Sequence, residues 1–180
     1  FTFARELICS IADLDVKCSV IARQSITKSI FRKRALRPFF WQDTTRKNNK
    51  IDVYQPYYLS FSNIKICGIS LSSMLSQRVI VNTFNKININ PDVLYAHFWH
   101  NGVTAGIIGT KHRIPFFVAT GESEIGINDV YGEKRINKYL RDVSGVICVS
   151  SKNMRESLDL ELAPREKMII IPNAIDCNKF

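Results

Sequence analysis

The chain has 180 residues, of which 46% are hydrophobic and 23% charged, and its formal net charge is +9. This composition is typical of a globular domain with a core of its own and excludes a disordered chain. No apolar run approaches the roughly 20 residues that a membrane-spanning helix needs, and no signal-peptide pattern is visible.

The positive charge predicts an anionic partner, which would be nucleic acid, a phosphate-bearing substrate or an acidic membrane surface. The five cysteines are dispersed without a C-x-x-C pair. Such spacing favours buried thiols in a reducing compartment over a disulfide framework or a zinc site.

The first half of the chain is predicted to contain two helices, two short strands and one long loop. Helical spacing of apolar residues marks the helices, and alternating or apolar runs mark the strands. In chain order these are a helix over residues 3–11, a strand over 16–22, a strand over 51–54 and a helix over 71–79. Residues 23–50 are polar and basic, which predicts a long mobile loop with one helical turn.

The second half alternates strands and helices more regularly. The predicted strands cover residues 93–96, 116–119, 146–149 and 168–171, and the helices cover 102–111, 136–143 and 151–162. Ser150 or Ser151 is the expected N-cap of the last helix. Strands that are apolar throughout and alternate with helices predict an α/β fold, with a Rossmann-like parallel sheet covered by helices on both faces.

A parallel sheet of this kind binds its ligands at the carboxyl ends of the strands. His97, Trp99 and His100 follow the strand at 93–96. The two imidazoles could hydrogen-bond sugar hydroxyls, and the indole could stack on a sugar ring. A packed strand end with ordinary aromatic filling is the alternative. A metal site is not expected, because the chain has three histidines and this pair lacks a third ligand.

A second cluster, Thr120, Gly121 and Glu122, follows the strand at 116–119. Gly121 would permit a sharp turn where the backbone approaches a substrate closely. Glu122 could accept hydroxyl hydrogen bonds or act as a base. A solvated acidic loop is the alternative, and it is the preferred interpretation for Glu124.

Arg32, Lys33, Arg34 and Arg37 lie among large apolar side chains in the segment 29–41. Cations beside apolar groups suit contact with an acidic membrane surface. Charge combined with aromatic stacking would also suit single-stranded nucleic acid. An ordinary solvated basic face is the third interpretation.

Four segments of the second half, taken in order, resemble the N-terminal half of glycosyltransferase family 4. They read PDVLYAHFWH at 91–100, IPFFVATGE at 114–122, VSGVICVSS at 143–151 and KMIIIPNAID at 167–176. The resemblance is clear from about residue 90 onward and extends to the opening helix and strand. It implies a retaining enzyme with the two-domain GT-B architecture, in which residues 1–180 form a single N-terminal, acceptor-side domain.

The resemblance further implies a metal-independent hexosyltransferase with no cofactor, whose donor is a nucleotide sugar and whose acceptor is a saccharide, often lipid-linked. Such enzymes build cell-surface polysaccharides such as capsule or lipopolysaccharide. The donor-binding C-terminal domain and the family's first strand with its glycine-rich loop are expected outside residues 1–180, which alone should be inactive. The residues expected at the acceptor are His97, Trp99, His100, Thr120, Gly121 and Glu122, with Asn173 near the interdomain seam. A cytoplasmic location, peripheral on the inner face of the membrane, fits the thiols and the basic segment.

Two positions depart from the family pattern. Thr120 stands where many members have a histidine implicated in donor-sugar binding or catalysis, so that role is not transferred and no catalytic residue is assigned. Asn173 is followed by Ala174 where the family usually has glycine, which predicts a less forgiving turn unless Ala174 has ordinary backbone angles.

Two other classes of protein are compatible with these residues. One is a nucleotide-sugar epimerase of related fold, which the sequence downstream of Phe180 would distinguish. The other is a basic module that binds nucleic acid through residues 23–50, which a gel shift at rising salt would distinguish. The transferase interpretation expects no nucleic-acid partner.

Overall fold

A computed structural model of the chain describes residues 2–44, 50–61, 64–66 and 68–173, without the side chains of Thr2, Phe3 and Asp129. The chain divides into two compact units, an N-terminal unit of residues 1–89 and a C-terminal unit of residues 90–180. Across the described ranges, no helix is long and apolar enough to cross a bilayer.

The described part of the N-terminal unit contains three helices and seven short strands. They are α1 (Thr2–Ala12), β1 (Ser19–Ile21), β2 (Gln24–Ser25), α2 (Ile26–Phe31), β3 (Phe40–Asp43), β4 (Ile51–Tyr54), β5 (Tyr57–Tyr58), β6 (Lys65–Ile66), β7 (Ile69–Ser70) and α3 (Leu71–Lys86). The two predicted helices and the strand at Ile51–Tyr54 are confirmed. The strand predicted over residues 16–22 is shorter, because only β1 pairs with β4.

A small mixed sheet forms the centre of the N-terminal unit. β4 lies between β1, which is parallel to it, and β3, which is antiparallel. The core beneath it joins Cys9 and Ala12 of α1 to Ile51 and Val53 of β4. Burial of these side chains fixes α1 against the sheet.

The helical turn predicted within the loop over residues 23–50 is present as α2, whereas the strands β2 and β3 were not predicted there. β3 pairs with β4 from Phe40 to Asp43, and the buried Asp43 accepts hydrogen bonds from Arg5 at 2.8 Å (Nε to Oδ2) and 3.2 Å (Nη2 to Oδ1). Hydrogen bonding to Asp43 and the negative charge of this carboxylate raise the pKa of Arg5 above its ordinary value. The ion pair that fixes β3 joins Arg5 to Asp43, 38 residues apart, so no local pattern in the sequence revealed it. The mobility of this segment stays a prediction, and residues 45–49 lie outside the described residues.

The C-terminal unit alternates strands and helices along its whole described length. Its elements are β8 (Leu94–His97), α4 (Trp99–His112), β9 (Phe116–Thr120), α5 (Asn128–Tyr131), α6 (Glu133–Leu140), β10 (Gly145–Cys148), α7 (Ser151–Asp159) and β11 (Met168–Ile170). The sheet order is β11-β10-β9-β8, and each neighbouring pair is parallel. The predicted α/β class with a Rossmann-like parallel sheet is confirmed. The short helix α5 was not predicted.

The core of the C-terminal unit lies between this sheet and its helices. Ala96, Val118, Val146 and Met168 are aligned across the four strands and are all buried. The helical side chains that cover them include Trp99, Val103, Ile136, Leu140 and Met154. Because central parallel strands are buried, their sequences are apolar rather than alternating.

Candidate functional site

Three neighbouring strands of the C-terminal unit end at one edge of the sheet. His97 ends β8, Thr120 ends β9 and Cys148 ends β10, and all three strands are parallel. Parallel strands present their carboxyl ends on the same side. We call the residues 97–101, 120–124 and 149–153 that follow these ends the strand-end edge. His97 and Glu122 lie together on it, as the sequence predicted.

The carboxylate of Glu122 is the centre of the hydrogen bonds at this edge. Its Oε1 accepts from the backbone N–H of Trp99 at 2.6 Å. Its Oε2 accepts from the Thr120 hydroxyl at 2.7 Å and from the Gly121 N–H at 3.0 Å. Trp99 is the first residue of α4, whose N-cap residue Phe98 provides no side-chain capping bond. Glu122 therefore supplies the acceptor and the negative charge that the start of this helix needs.

The opposite side of the same loop is held by the start of α7. Ser150 is the N-cap of this helix, as predicted, and its Oγ accepts from the Asn153 N–H. The Asn153 side chain donates to the Glu122 carbonyl at 2.7 Å, and the Lys152 ammonium donates to the Ser123 carbonyl at 2.7 Å. The loop after β9 is thus fixed between two helix N-termini.

His97 is half-buried at the end of β8. Its carbonyl accepts from the Asn101 side chain at 2.7 Å, and its ring lies 4.1 Å from the ring of Phe98, centroid to centroid. Burial lowers the pKa of His97 below its ordinary value, and the negative charge of Glu122 opposes this shift. The imidazole is therefore neutral near pH 7 and can both donate and accept a hydrogen bond.

This lowered pKa predicts a pH-dependent stability. The unfolded chain binds a proton at His97 more readily than the folded chain does. The neutral, half-buried imidazole therefore makes its full contribution to the free energy of unfolding above the ordinary pKa of about 6.5, and this contribution is lost as the pH falls through the pKa of the folded chain. We expect the wild-type chain to lose more free energy of unfolding than His97→Asn between about pH 7 and pH 5. Urea titrations at several pH values measure this, and parallel curves for the two proteins would contradict it.

Phe98 joins β8 to α4 in a strained conformation. Its φ of 72° and ψ of 152° lie in a region that residues other than glycine rarely occupy. Such a conformation costs about 1–3 kcal/mol and persists where the surroundings enforce it. Here the Phe98 N–H donates to Ala119 at 2.8 Å, and the next N–H, that of Trp99, donates to Glu122. The backbone angles of Phe98 set the direction in which α4 leaves the sheet.

Two predicted contact residues are part of the core. Trp99 is 1% exposed, and its Nε1 donates to the buried Ser157 hydroxyl at 3.1 Å. The prediction that its indole stacks on a sugar is therefore corrected: α4 begins three residues earlier than predicted, which turns the ring inward. Thr120 is 0% exposed, and its hydroxyl is bonded to Glu122.

Gly121 is exposed and does not have a positive φ. A Cβ added to it would lie 3.1 Å from Val149 Cγ2. The glycine is therefore explained by the close approach of two neighbouring loops and not by a special turn conformation.

The other predicted residues lie in different surroundings. His100 is half-buried with its ring 5.6 Å from that of Tyr131, and Glu124 is exposed as expected. Asn173 is exposed, while Ala174 lies outside the described residues. The exposed Arg32, Lys33, Arg34 and Arg37 belong to the N-terminal unit.

Sequence reasoning missed Lys152, Asn153 and Ser157, which hold the strand-end edge from α7. Asn153 and Ser157 are 4% and 0% exposed and stand four residues apart on one helical face. The helical pattern of this segment places both polar residues on its apolar face, and this could have indicated their role. Buried polar groups need hydrogen-bond partners, so such residues are expected to bond a neighbouring element.

The chain was compared with known proteins. The model of the family described as Glycosyltransferase Family 4 matches residues 2–179. A search of curated proteins found no match.

Two solved structures are similar in part. One is HepE of Anabaena in complex with UDP and glucose, with 16% identity and a TM-score of 0.48 over 89% of this chain and 46% of that chain. The other is a UDP-N-acetylglucosamine 2-epimerase, with 11% identity and a TM-score of 0.41 over 88% of this chain and 49% of that chain. The chain spans about half the length of each of these proteins. From the family match over nearly its whole length, the chain belongs to Glycosyltransferase Family 4.

Proposed function

We propose that residues 1–180 form the acceptor-side half of a retaining hexosyltransferase, which moves a hexose from a nucleotide sugar to a saccharide. The observation that carries the proposal is membership of Glycosyltransferase Family 4 over residues 2–179. The strand-end edge supports it, because His97 and Glu122 both lie at the carboxyl ends of neighbouring parallel strands, where such sheets bind their ligands.

His97 and Glu122 suit the binding of sugar hydroxyls. A neutral imidazole can donate or accept through a ring nitrogen, and because the Nδ1 of His97 is buried we propose Nε2 as the nitrogen that bonds a sugar hydroxyl. Each carboxylate oxygen can accept two bonds, and Glu122 Oε1 accepts one from the Trp99 N–H. A second position on Oε1 is then available to an acceptor hydroxyl. The other contacts we propose are to the exposed backbone at Gly121 and to His100.

The finer parts of the proposal concern the whole enzyme. We propose a lipid-linked acceptor, a role in capsule or lipopolysaccharide synthesis and a cytoplasmic location. The donor would be bound mainly by a C-terminal domain, near a seam that includes Asn173, without a metal or cofactor. Phosphate groups on donor and acceptor would account for part of the net charge of +9.

The test is a transfer assay with the full-length parent protein and a panel of nucleotide sugars and saccharide acceptors. We expect His97→Ala to raise the acceptor KM about tenfold, the effect of one or two lost hydrogen bonds, and to leave the donor KM unchanged. His112→Ala, at the other end of α4, is the matched control. Residues 1–180 alone should show no transfer.

Two results would contradict the proposal. One is a parent protein that transfers no sugar from any nucleotide sugar of the panel. The other is a His97→Ala variant whose donor KM rises while its acceptor KM stays constant, because His97 would then belong to the donor site.

A further inference from the structure

The end of α2 presents apolar side chains to solvent. Ile30 and Phe31, its last two residues, are 70% and 83% exposed, and no residue of this helix is buried. A helix on a globular protein normally turns its large apolar side chains toward the core. Two adjacent large apolar side chains that are both exposed indicate a surface that contacts a partner.

This apolar surface continues across an open groove beside α2. The groove is lined by Thr27, Lys28, Phe31, Ser60, Phe61 and Ile64. Its walls are joined where the Ser60 N–H donates to the Thr27 hydroxyl at 3.0 Å. On the far wall, Phe61 is 38% exposed and Ile64 is 47% exposed. Apolar side chains from two separate segments therefore face the same opening.

Three cations follow the exposed apolar pair in a fixed turn, Arg32–Arg34, which we call the basic turn. The Lys33 N–H donates to the Ile30 carbonyl at 3.1 Å, and the Arg34 N–H donates to the Ser29 carbonyl at 2.9 Å. Lys33 has a φ of 49°. These two bonds with a left-handed residue form a Schellman motif, which usually has glycine at the position of Lys33. The basic turn is therefore an ordered structure that keeps its charges next to Phe31.

A fourth cation is held through its main chain. The Arg37 N–H donates to Gln24 Oε1 at 3.0 Å, and the Arg37 carbonyl accepts from Gln24 Nε2 at 2.8 Å and from the Tyr57 hydroxyl at 2.7 Å. Its side chain is exposed, like those of the basic turn. The backbone that carries these cations is thus anchored on both sides.

We propose that α2 and the basic turn form a docking surface for an anionic lipid bilayer. Ile30 and Phe31 would enter the boundary between headgroups and acyl chains, and the basic turn and Arg37 would face the lipid phosphates. Apolar side chains that project between cations are the features such an interface binds. Phe31 and Phe61 offer rings on which a base could stack, but Ile30 and Ile64 do not, so the aliphatic part of the surface favours a bilayer over single-stranded nucleic acid. The proposal does not depend on sugar transfer.

The test is co-sedimentation of the 180-residue chain with vesicles of phosphatidylcholine, with and without phosphatidylglycerol. We expect binding to the anionic vesicles only, weakened by salt. Reversing the three charges of the basic turn to glutamate should lower partitioning about 100-fold. The double variant Ile30→Ser and Phe31→Ser should lower it about tenfold.

Matched controls separate this surface from general charge and hydrophobicity. Leu14→Ser removes an apolar side chain that is 76% exposed but lies between Asp13 and Asp15. The second control replaces three exposed cations of the C-terminal unit, Lys134, Arg141 and Arg155, by glutamate. It lowers the net charge by six units, as the basic-turn variant does. Both controls should bind like wild type, and thermal unfolding should show that every variant is folded.

Three outcomes would overturn the proposal. In the first, the controls lose as much binding as the variants of α2 and the basic turn. In the second, folded variants bind anionic vesicles as strongly as wild type. In the third, the chain prefers a single-stranded RNA oligonucleotide to the vesicles, and the Ile30 and Phe31 substitutions do not change that preference.

Discussion

Replacing Gly106 with alanine is expected to lower the free energy of unfolding by about 3 kcal/mol, the upper end of the usual cost of overpacking a core. Gly106 is buried in α4 where this helix crosses α6, and an added Cβ would lie 2.0 Å from the Tyr139 carbonyl oxygen. The clash is with backbone, so no side-chain rotation can relieve it. The two helices would have to move apart, which would open the core around Val103 and Leu140. Urea titration followed by circular dichroism measures the change.

Gly126→Ala is the matched control for this substitution. A Cβ on Gly126 would have no atom within 4 Å, and its φ is not positive. This variant should be as stable as wild type or slightly more stable, because alanine restricts the unfolded chain. Equal stability of the Gly106 and Gly126 variants would show that α4 and α6 do not pack as closely as described.

Glu122→Ala is expected to cost about 3 kcal/mol and to disorder the loop after β9. The substitution removes the acceptor of the Trp99 N–H, the Thr120 hydroxyl and the Gly121 N–H. Hydrogen bonds to a charged group are worth about 1.5–3 kcal/mol each, but water can replace part of this at a half-buried position. The fully buried Thr120 hydroxyl would be left without this partner. Urea titration gives the loss, and amide hydrogen exchange at Trp99 and Gly121 gives its location.

Two further variants make this prediction specific. Glu122→Gln keeps one acceptor oxygen but turns an amide toward N–H or O–H donors, so it should lie between wild type and alanine in stability. Glu124→Ala removes an exposed carboxylate two residues away and should be neutral. If Glu122→Ala proved as stable as Glu124→Ala, the carboxylate would not be the cap of α4, and the arrangement of the strand-end edge would need another explanation.

The role of Glu122 changes how this edge should be understood. The sequence favoured Glu122 as a contact or base for the substrate, and the structure gives the same carboxylate three bonds to its own chain. A group held in this way is well oriented for a substrate hydroxyl but is also needed for the fold. Loss of activity in a Glu122 variant is therefore informative only together with its stability, whereas His97 can be tested by kinetics.

Most of the secondary structure followed from the sequence alone. Helical spacing identified α1, α3, α4, α6 and α7, and alternating or apolar runs identified β4, β8, β9, β10 and β11, within a few residues. Ser150 was identified as a cap from its type and position. These features are local, because periodicity and capping depend on residues a few positions apart. The order of the strands then placed His97 and Glu122 at one edge of the sheet.

Only the tertiary structure decided where several side chains point and which partners they have. The inward turn of Trp99 depends on where α4 begins and on Ser157, which is 58 residues away. The strand β3 depends on pairing with β4 and on Arg5, which is 38 residues from Asp43. Contacts across such separations leave no local pattern, because their free energy comes from burial and hydrogen bonds that exist only in the folded chain. The sequence by itself therefore determined the fold class and the candidate edge, and the folded chain determined which side chains at that edge are buried and which reach solvent.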